Sequence, residues 1–496
     1  MATVGWSRAL RGALSHAHWR RERTRRNAWH SASPGLLRVW LARFSDHRSA
    51  TRLAAPLTRP RAPPREEAYG TIARMVWPRH GLWRHWEFLK LWSGETISLL
   101  GSQVTLLALP LTASIILQAS PFQMGVLGAS QTVPFLLLGL FAGVWVDRLR
   151  RRPIMLIADL GRAVLLATIP LSALAGVLRL EQLLLVAFGV GIFDVFFGVA
   201  YASFLPSLVR REQLAEGNAK LALSAEVARV AGPGLAGVLV QLVSAPLAIG
   251  ADAASFLIST LALARIQANE PPPVPAAERR SVWAEIGEGL RAVVDHPILR
   301  PLVGVIGLGN LGDGLLFGSG LYVLFATREL GMEPAALGGV MAGLGVGGLV
   351  GAALAGPVTR LWGIGVTFVT AQLLWGASFL AAAFVTGPPP IAGVLLAAAF
   401  AVTGTVNPIA GTNATTLRQA VAPDRLQGRI TATARVVLWS SVTIGALAGG
   451  ILAERIGLRA TIALSGVLPL LGSVWLLLSP VRQLRQVSST AASSVD

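Results

Sequence analysis

Long unbroken apolar runs dominate this chain, in place of the short alternating or three-four spaced runs of a soluble fold. Past residue 80, stretches of about twenty apolar residues recur with short polar turns between them, the length an α-helix needs to cross a hydrocarbon core. The runs predict twelve spans, near Ile97–Leu117, Gln123–Val146, Ile154–Leu178, Leu183–Leu205, Ser224–Val243, Pro246–Ala264, Leu302–Phe325, Ala336–Thr359, Ile364–Val385, Pro390–Asn413, Thr431–Leu452 and Thr461–Leu478. The predicted class is an all-α polytopic membrane protein with two six-helix bundles.

The polar turns alternate in charge. Arg148, Arg150, Arg151 and Arg152 follow span 2, Arg210, Arg211 and Lys220 follow span 4, and Arg418, Arg425 and Arg429 follow span 10. Turns on the other side, such as 118–122 and 387–390, are nearly neutral. Positive residues stay on the cytoplasmic side, so the pattern expects both termini in the cytoplasm and a bacterial inner (cytoplasmic) membrane location. The turn after span 11, with Glu454, Arg455 and Arg459, fits this rule least well.

Composition agrees: 53% of the 496 residues are hydrophobic and 14% charged, with a mean hydropathy of +0.59. The net charge of +18 sits largely in the N-terminal arm and the short turns, which reads as topology and not as nucleic-acid binding. Cysteine is absent and no histidine lies in an apolar run, so no buried histidine or thiolate metal centre and no cofactor is expected. Lacking also a phosphate-cradling G-x-x-x-x-G-K-[ST] loop, the chain has no sequence basis for direct ATP drive.

Four boundaries follow from this pattern. Residues 1–80 read as a disordered basic arm or as upstream sequence from a mis-assigned start, with Met75 an alternative start. The bundles are expected at 84–266 and 300–480. Between them, 267–299 forms a cytoplasmic loop in which Ser281–Asp295 has the spacing of a surface helix, and 481–496 is expected to be a disordered tail. The halves repeat: Val209, Leu214 and Gly237 recur as Val421, Leu426 and Gly449, an offset of 212 (421 − 209; 449 − 237), which suggests duplicated bundles.

The turn Gly143-Val144-Trp145-Val146-Asp147-Arg148-Leu149-Arg150-Arg151-Arg152-Pro153 resembles the span 2–3 loop of the major facilitator superfamily. Ser98-Leu99-Leu100-Gly101, the Leu205–Asn218 stretch, Gly232-Pro233 and Gly289 through Pro297 are similar to its bacterial efflux branch, which contains macrolide and enterobactin exporters. The resemblance covers about residues 84–485. It implies that Gly143, Asp147, Arg148, Arg151 and Arg152 form a gating motif that latches the halves in the outward-facing state, with Asp147 near residues 428–431. Arg150 stands where the family has a glycine. Gly232, Pro233 and Gly237 resemble the span 5 hinge motif of drug/proton antiporters, whose companion arginine in span 4 is absent here.

Ionisable residues within spans are costly and mark candidate function. Asp194 and Asp313, with no cation three or four residues away, are candidate proton-coupling residues or else bundle hydrogen-bonding groups, and Asp252 and Glu95 are further candidates. Asp159 and Arg162 share a helix face and are expected to pair. Arg435 reads as an isolated buried cation available to one of the acids. Phe193, Phe197, Asn310, Asn407 and Arg435 are the candidate cavity, otherwise apolar through Phe196, Phe317 and Trp375.

Three functions remain: proton-coupled export of amphipathic small molecules, proton-coupled uptake of a nutrient, and a polytopic membrane enzyme, for which no catalytic constellation is visible. The expected partners are a small-molecule substrate, protons and the lipid bilayer, with the protein a monomer.

Overall fold

The computed structural model describes residues 81–146, 149–267, 270 and 282–484. The N-terminal arm, Asp147, Arg148 and residues 485–496 lie outside the described residues.

Twelve helices are long and apolar enough to cross a membrane. In the first half, span 1 is Trp86–Leu111, prolonged by a π-helical turn Thr112–Ile116. Span 2 is Pro121–Val146, span 3 Arg151–Leu174, span 4 Leu180–Leu208, span 5 Leu214–Val243 and span 6 Ala245–Ala264. A connecting helix, Val282–Asp295, precedes span 7, which runs Leu299–Asp313, bulges over Gly314–Gly318, and resumes at Leu321–Leu324 with a π-helical turn Phe325–Glu329. Span 8 is Pro334–Trp362, span 9 Ile364–Ala383, span 10 Pro389–Val421, span 11 Gln427–Ile456 and span 12 Leu458–Leu477.

Helices are the only open-ended way to satisfy every backbone N–H and C=O in hydrocarbon. The outward faces carry exposed large apolar residues such as Leu137, Leu171, Leu242, Leu361 and Leu478, the reverse of a soluble surface and the face a bilayer covers.

The sequence underestimated how far several helices reach beyond the apolar runs. Span 1 starts at Trp86, eleven residues before its expected Ile97 (97 − 86). Trp92 is therefore part of it, its indole N–H donating to Ser224 Oγ at 2.9 Å. Residues 481–484, expected to belong to the tail, are packed: Val481 is fully buried, and the Gly365 N–H donates to the Leu484 carbonyl at 2.9 Å. One apolar side chain and one backbone bond suffice to dock that turn.

The internal repeat has an offset of 213, one residue more than the sequence matches suggested. Residues 214–243 and 427–456, 245–264 and 458–477, and the π-helical turns 112–116 and 325–329 all differ by it (427 − 214; 458 − 245; 325 − 112). Contacts repeat in the same register. A Cβ built on Gly125 would lie 2.9 Å from Gly450 Cα, and one built on Gly237 would lie 3.0 Å from Gly338 Cα. These pairs are equivalent (338 − 125; 450 − 237). Ser114 Oγ and Thr327 Oγ1, each other's equivalents (327 − 114), meet at 3.3 Å beside the axis.

Both glycine seams lie at the end opposite the arginine-rich turns, and backbone approaches backbone there because neither glycine has a side chain. That end is further tied by Glu454, which accepts from the Ser120 hydroxyl at 2.5 Å and the Phe122 N–H at 3.3 Å. Arg328 donates to the Ala119 carbonyl at 2.8 Å. Arg459 pairs with Glu329 at 2.7 Å and donates to the Ala383 and Val385 carbonyls. Glu454 and Arg459, which fitted the orientation rule poorly, are thus engaged in structural contacts.

At the arginine-rich end the equivalents Gly143 and Gly356, and Gly198 and Gly411, have nothing within 4 Å of a built Cβ. The close glycine approaches between the bundles described above therefore lie at the opposite end. The connecting helix lies at the arginine-rich end against span 11, with Glu288 bonded to Arg429 at 2.5 Å and Arg425 at 3.7 Å.

Candidate functional site

The first bundle holds a compact knot of charge. Asp159 and Arg162, one helical turn apart in span 3, pair as expected. The same guanidinium also reaches across to span 4 and bonds Asp194 Oδ1 at 2.8 Å. Asp194 is therefore not unpaired; its cation is 32 residues away in sequence and adjacent in space. Arg162 is sandwiched between the rings of Phe197 and Phe256, 4.3 and 4.2 Å from its central carbon. Cation–π contact on both faces is strongest when desolvated, which lets one arginine sit 6% exposed inside a span.

The two acids differ in access. The Asp159 side chain is 0% exposed, whereas that of Asp194 is 38% exposed. Asp194 is therefore the more exposed acid of the knot. Glu95 comes from span 1 within electrostatic range of Arg162 and Asp159, and its Oε2 has no hydrogen-bond partner. Glu95 lies nine residues into the span 1 helix (95 − 86).

Asp252 is sealed, within electrostatic range of Arg162 and Asp194. It is 1% exposed, accepts from the Ser255 hydroxyl at 3.1 Å, and packs under Gly101, where a Cβ would lie 2.6 Å from its Oδ1. Asp313 is half-buried immediately before the first bulge of span 7 and has no ion-pair or hydrogen-bond partner among the described residues.

The second bundle contains a cavity of about 330 Å³. Asn310, Asn407 and Arg435 line it, together with Trp375, Gln372 and Arg418. The predicted apolar wall is mostly elsewhere. The Phe193 ring lies against Gly161 of span 3, Phe197 lies under Arg162, Phe196 stacks on Trp145, and Phe317 packs between Phe379 and Phe400. Large rings were consumed by helix packing. Arg435 is exposed, lines the cavity, and pairs with no acid among the described residues.

The span 5 motif serves the seam. Gly237 meets span 8, Gly232 meets Gln103 of span 1, and Gly234 faces open space. Span 5 continues as one helix through Pro233. Of the expected gating residues, Gly143 faces open space, and the Arg151 and Arg152 N–H groups donate to Glu270 at 2.6 and 2.9 Å. A carboxylate at a helix N-terminus satisfies exposed N–H groups and the positive dipole end. The Arg152 guanidinium donates to the Leu263 and Ala264 carbonyls at the end of span 6. Asp147 and Arg148 lie outside the described residues.

Residues 81–495 match the family described as transmembrane secretion effector. The chain belongs to this family of the major facilitator superfamily. It is 30% identical over 393 residues to the multidrug efflux pump Tap of Mycolicibacterium fortuitum, covering 77% of this chain and 93% of that one. It is 28% identical to the enterobactin exporter EntS of Citrobacter koseri, over 74% of this chain and 86% of that one. Its fold is similar to a bacterial homologue of the iron transporter ferroportin in an inward-facing state, with a TM-score of 0.64, 16% identity, and 79% and 98% of the two chains covered. As a transmembrane secretion effector family member, the chain is a multi-pass membrane transporter of small molecules.

Sequence reasoning missed Gln372, Trp375 and Arg418 as one constellation. With the offset of 213, Gln372, Trp375 and Asn407 are the equivalents of Asp159, Arg162 and Asp194 (372 − 159; 375 − 162; 407 − 194). The correct register was the signal that could have drawn Gln372, Trp375 and Asn407 together; it carries none for Arg418, whose equivalent is Leu205.

Proposed function

We propose that this protein exports amphipathic small molecules by alternating access, exchanging them for protons. The observations that carry the reading are the partly exposed, ion-paired acid Asp194 inside the first bundle and a cavity in the second bundle that extends toward the arginine-rich end through Arg418 and Thr431. The orientation rule assigns that end to the cytoplasm, with both termini there and the protein in the cytoplasmic membrane. Loading then occurs from inside the cell, as for the relatives named efflux pump and exporter.

A proton on Asp194 weakens the pair that ties span 4 to Arg162 of span 3, so protonation and helix packing are linked through one guanidinium. Asp313, without a partner and next to a bulge in span 7, is a second proton site in the other bundle. The Gly143–Arg152 turn acts as the latch when the arginine-rich end closes, and the transporter works as a monomer.

The test uses inverted membrane vesicles from a host stripped of its own pumps, following uptake of ethidium and of neutral and anionic dyes. Export predicts accumulation that needs a pH gradient, collapses with a protonophore, and falls at least about tenfold in Asp194→Asn or Asp313→Asn. Accumulation only in right-side-out vesicles would favour uptake and overturn the proposal.

A further inference from the structure

The two bundles divide their charges. Spans 1, 3, 4 and 6 of the first carry Glu95, Asp159, Asp194 and Asp252, while the cavity of the second is lined by Arg418 and Arg435 and by no acid. Neither guanidinium meets a carboxylate among the described residues. The first-bundle equivalents of these arginines are Leu205 and Ala222 (418 − 213; 435 − 213), so the duplication did not supply them. At the positions where the first bundle has its internal ion-paired knot, the second has neutral groups.

Two of those neutral groups are unsatisfied among the described residues. Trp375, 6% exposed, has no acceptor for its indole N–H, and Gln372, 1% exposed, has no donor for its Oε1; Arg418 Nε–H also lacks an acceptor. Trp375 Nε1 and Arg418 Nε can only donate. Two like charges on the wall of one cavity, with buried donors beside them, form a site complementary to a negative oxygen. The Trp375 and Phe368 rings supply an apolar face. The volume of about 330 Å³ suits a small organic body.

We propose that the second-bundle cavity binds an oxyanion, carboxylate or phosphate, carried on a flat apolar body, so that the transported substrates include amphipathic anions. This rests on the transporter reading above and deepens it. Arg418 and Arg435 hold the anion, Trp375 donates to it, and Gln372 accepts from a hydroxyl or amide of the same molecule. The ion-paired acid Asp194 and the substrate anion then sit in different bundles of the duplicated fold.

The experiment is equilibrium binding to the full-length protein in nanodiscs of zwitterionic lipid, with empty discs subtracted. The probes are 2-naphthoate, 2-naphthyl phosphate and uncharged 2-naphthamide. An anion should bind wild type about tenfold or more tightly than the amide, and the better anion identifies the headgroup chemistry. Arg418→Gln/Arg435→Gln should abolish the preference while still binding the amide, which reports an intact fold. Arg418→Lys/Arg435→Lys should recover part of it, since charge is kept and the planar fork is lost. Equal binding of all three probes by wild type would overturn the proposal, as would a preference that survives the double glutamine variant. Loss of naphthoate binding in discs containing phosphatidylglycerol would assign the site to lipid phosphate and overturn the substrate reading. Failure of vesicle accumulation with the preference intact would remove the export reading alone.

Discussion

Replacing Gly237 by alanine should loosen the closed end of the transporter. The added methyl would lie 2.6 Å from the Pro334 carbonyl oxygen, 3.0 Å from Gly338 Cα and 3.1 Å from Ala335 Cα. All three are backbone atoms of span 8, so no side chain can swing away. An ordinary contact begins near 3.4 Å, and the seam must open by about 0.8 Å at that point. Overpacking of this kind costs roughly 1–3 kcal/mol, about a five- to 150-fold shift toward the conformation in which the seam is parted. The chain has no cysteine, so a single reporter gives no background. Thr443, 4% exposed and bonded to Thr132 at 2.9 Å across the bundles, is the reporter position. Thr443→Cys in intact cells should react with a membrane-impermeant maleimide at least about fivefold faster when combined with Gly237→Ala. Gly450→Ala, against the equivalent seam, should do the same, and Gly234→Ala, facing open space, should not. Equal labelling rates in the Gly237 and Gly234 variants would refute the close-approach argument.

Two further outcomes follow from the charged groups. Arg162→Leu leaves the fully buried Asp159 carboxylate without its cation, a loss of about 3–5 kcal/mol; the variant should yield little monodisperse protein in fluorescence-detected size exclusion, and Arg162→Leu/Asp159→Asn should recover more, a gain whose absence would sink the pairing argument. His296, outside the spans, accepts at Nδ1 from the N–H groups of Ile298 and Leu299, and burial holds its pKa below the usual 6.5. Because the folded value is depressed, the neutral cap is intact above the unfolded pKa and is lost as pH falls through the folded one. Proteolysis of the central loop should therefore accelerate only below about pH 6.5 in wild type, while His296→Asn should remove that dependence.

Twelve crossings and a duplicated architecture were legible because hydrophobic run length and arginine placement are constraints of the bilayer itself. Helix ends were not, since residues such as Trp86–Trp92 are amphipathic and continue the helix by packing on span 5. The register of the repeat was off by one because small-residue motifs such as Leu235-Ala236-Gly237 recur with slight shifts, whereas Gly237 and Gly450 are equivalent only through their neighbours. At the site, the Asp159–Arg162 pair was readable from helical spacing. Its extension to Asp194 depends on how spans 3 and 4 face each other, which no local pattern encodes. The phenylalanines expected in the cavity failed for a similar reason: an aromatic side chain suits a binding wall and a helix seam equally, and only packing assigns it.

The two glycine seams also bear on how such a fold arises. A contact from residue 125 to 450, repeated as one from 338 to 237, is what a self-complementary dimer of a single six-helix unit makes around a twofold axis. Once fused, the copies were released from identity. One could fill a set of positions with a salt-bridged triad and the other the same positions with uncharged groups, and a homodimer, bound to mutate both copies together, has no route to that specialisation.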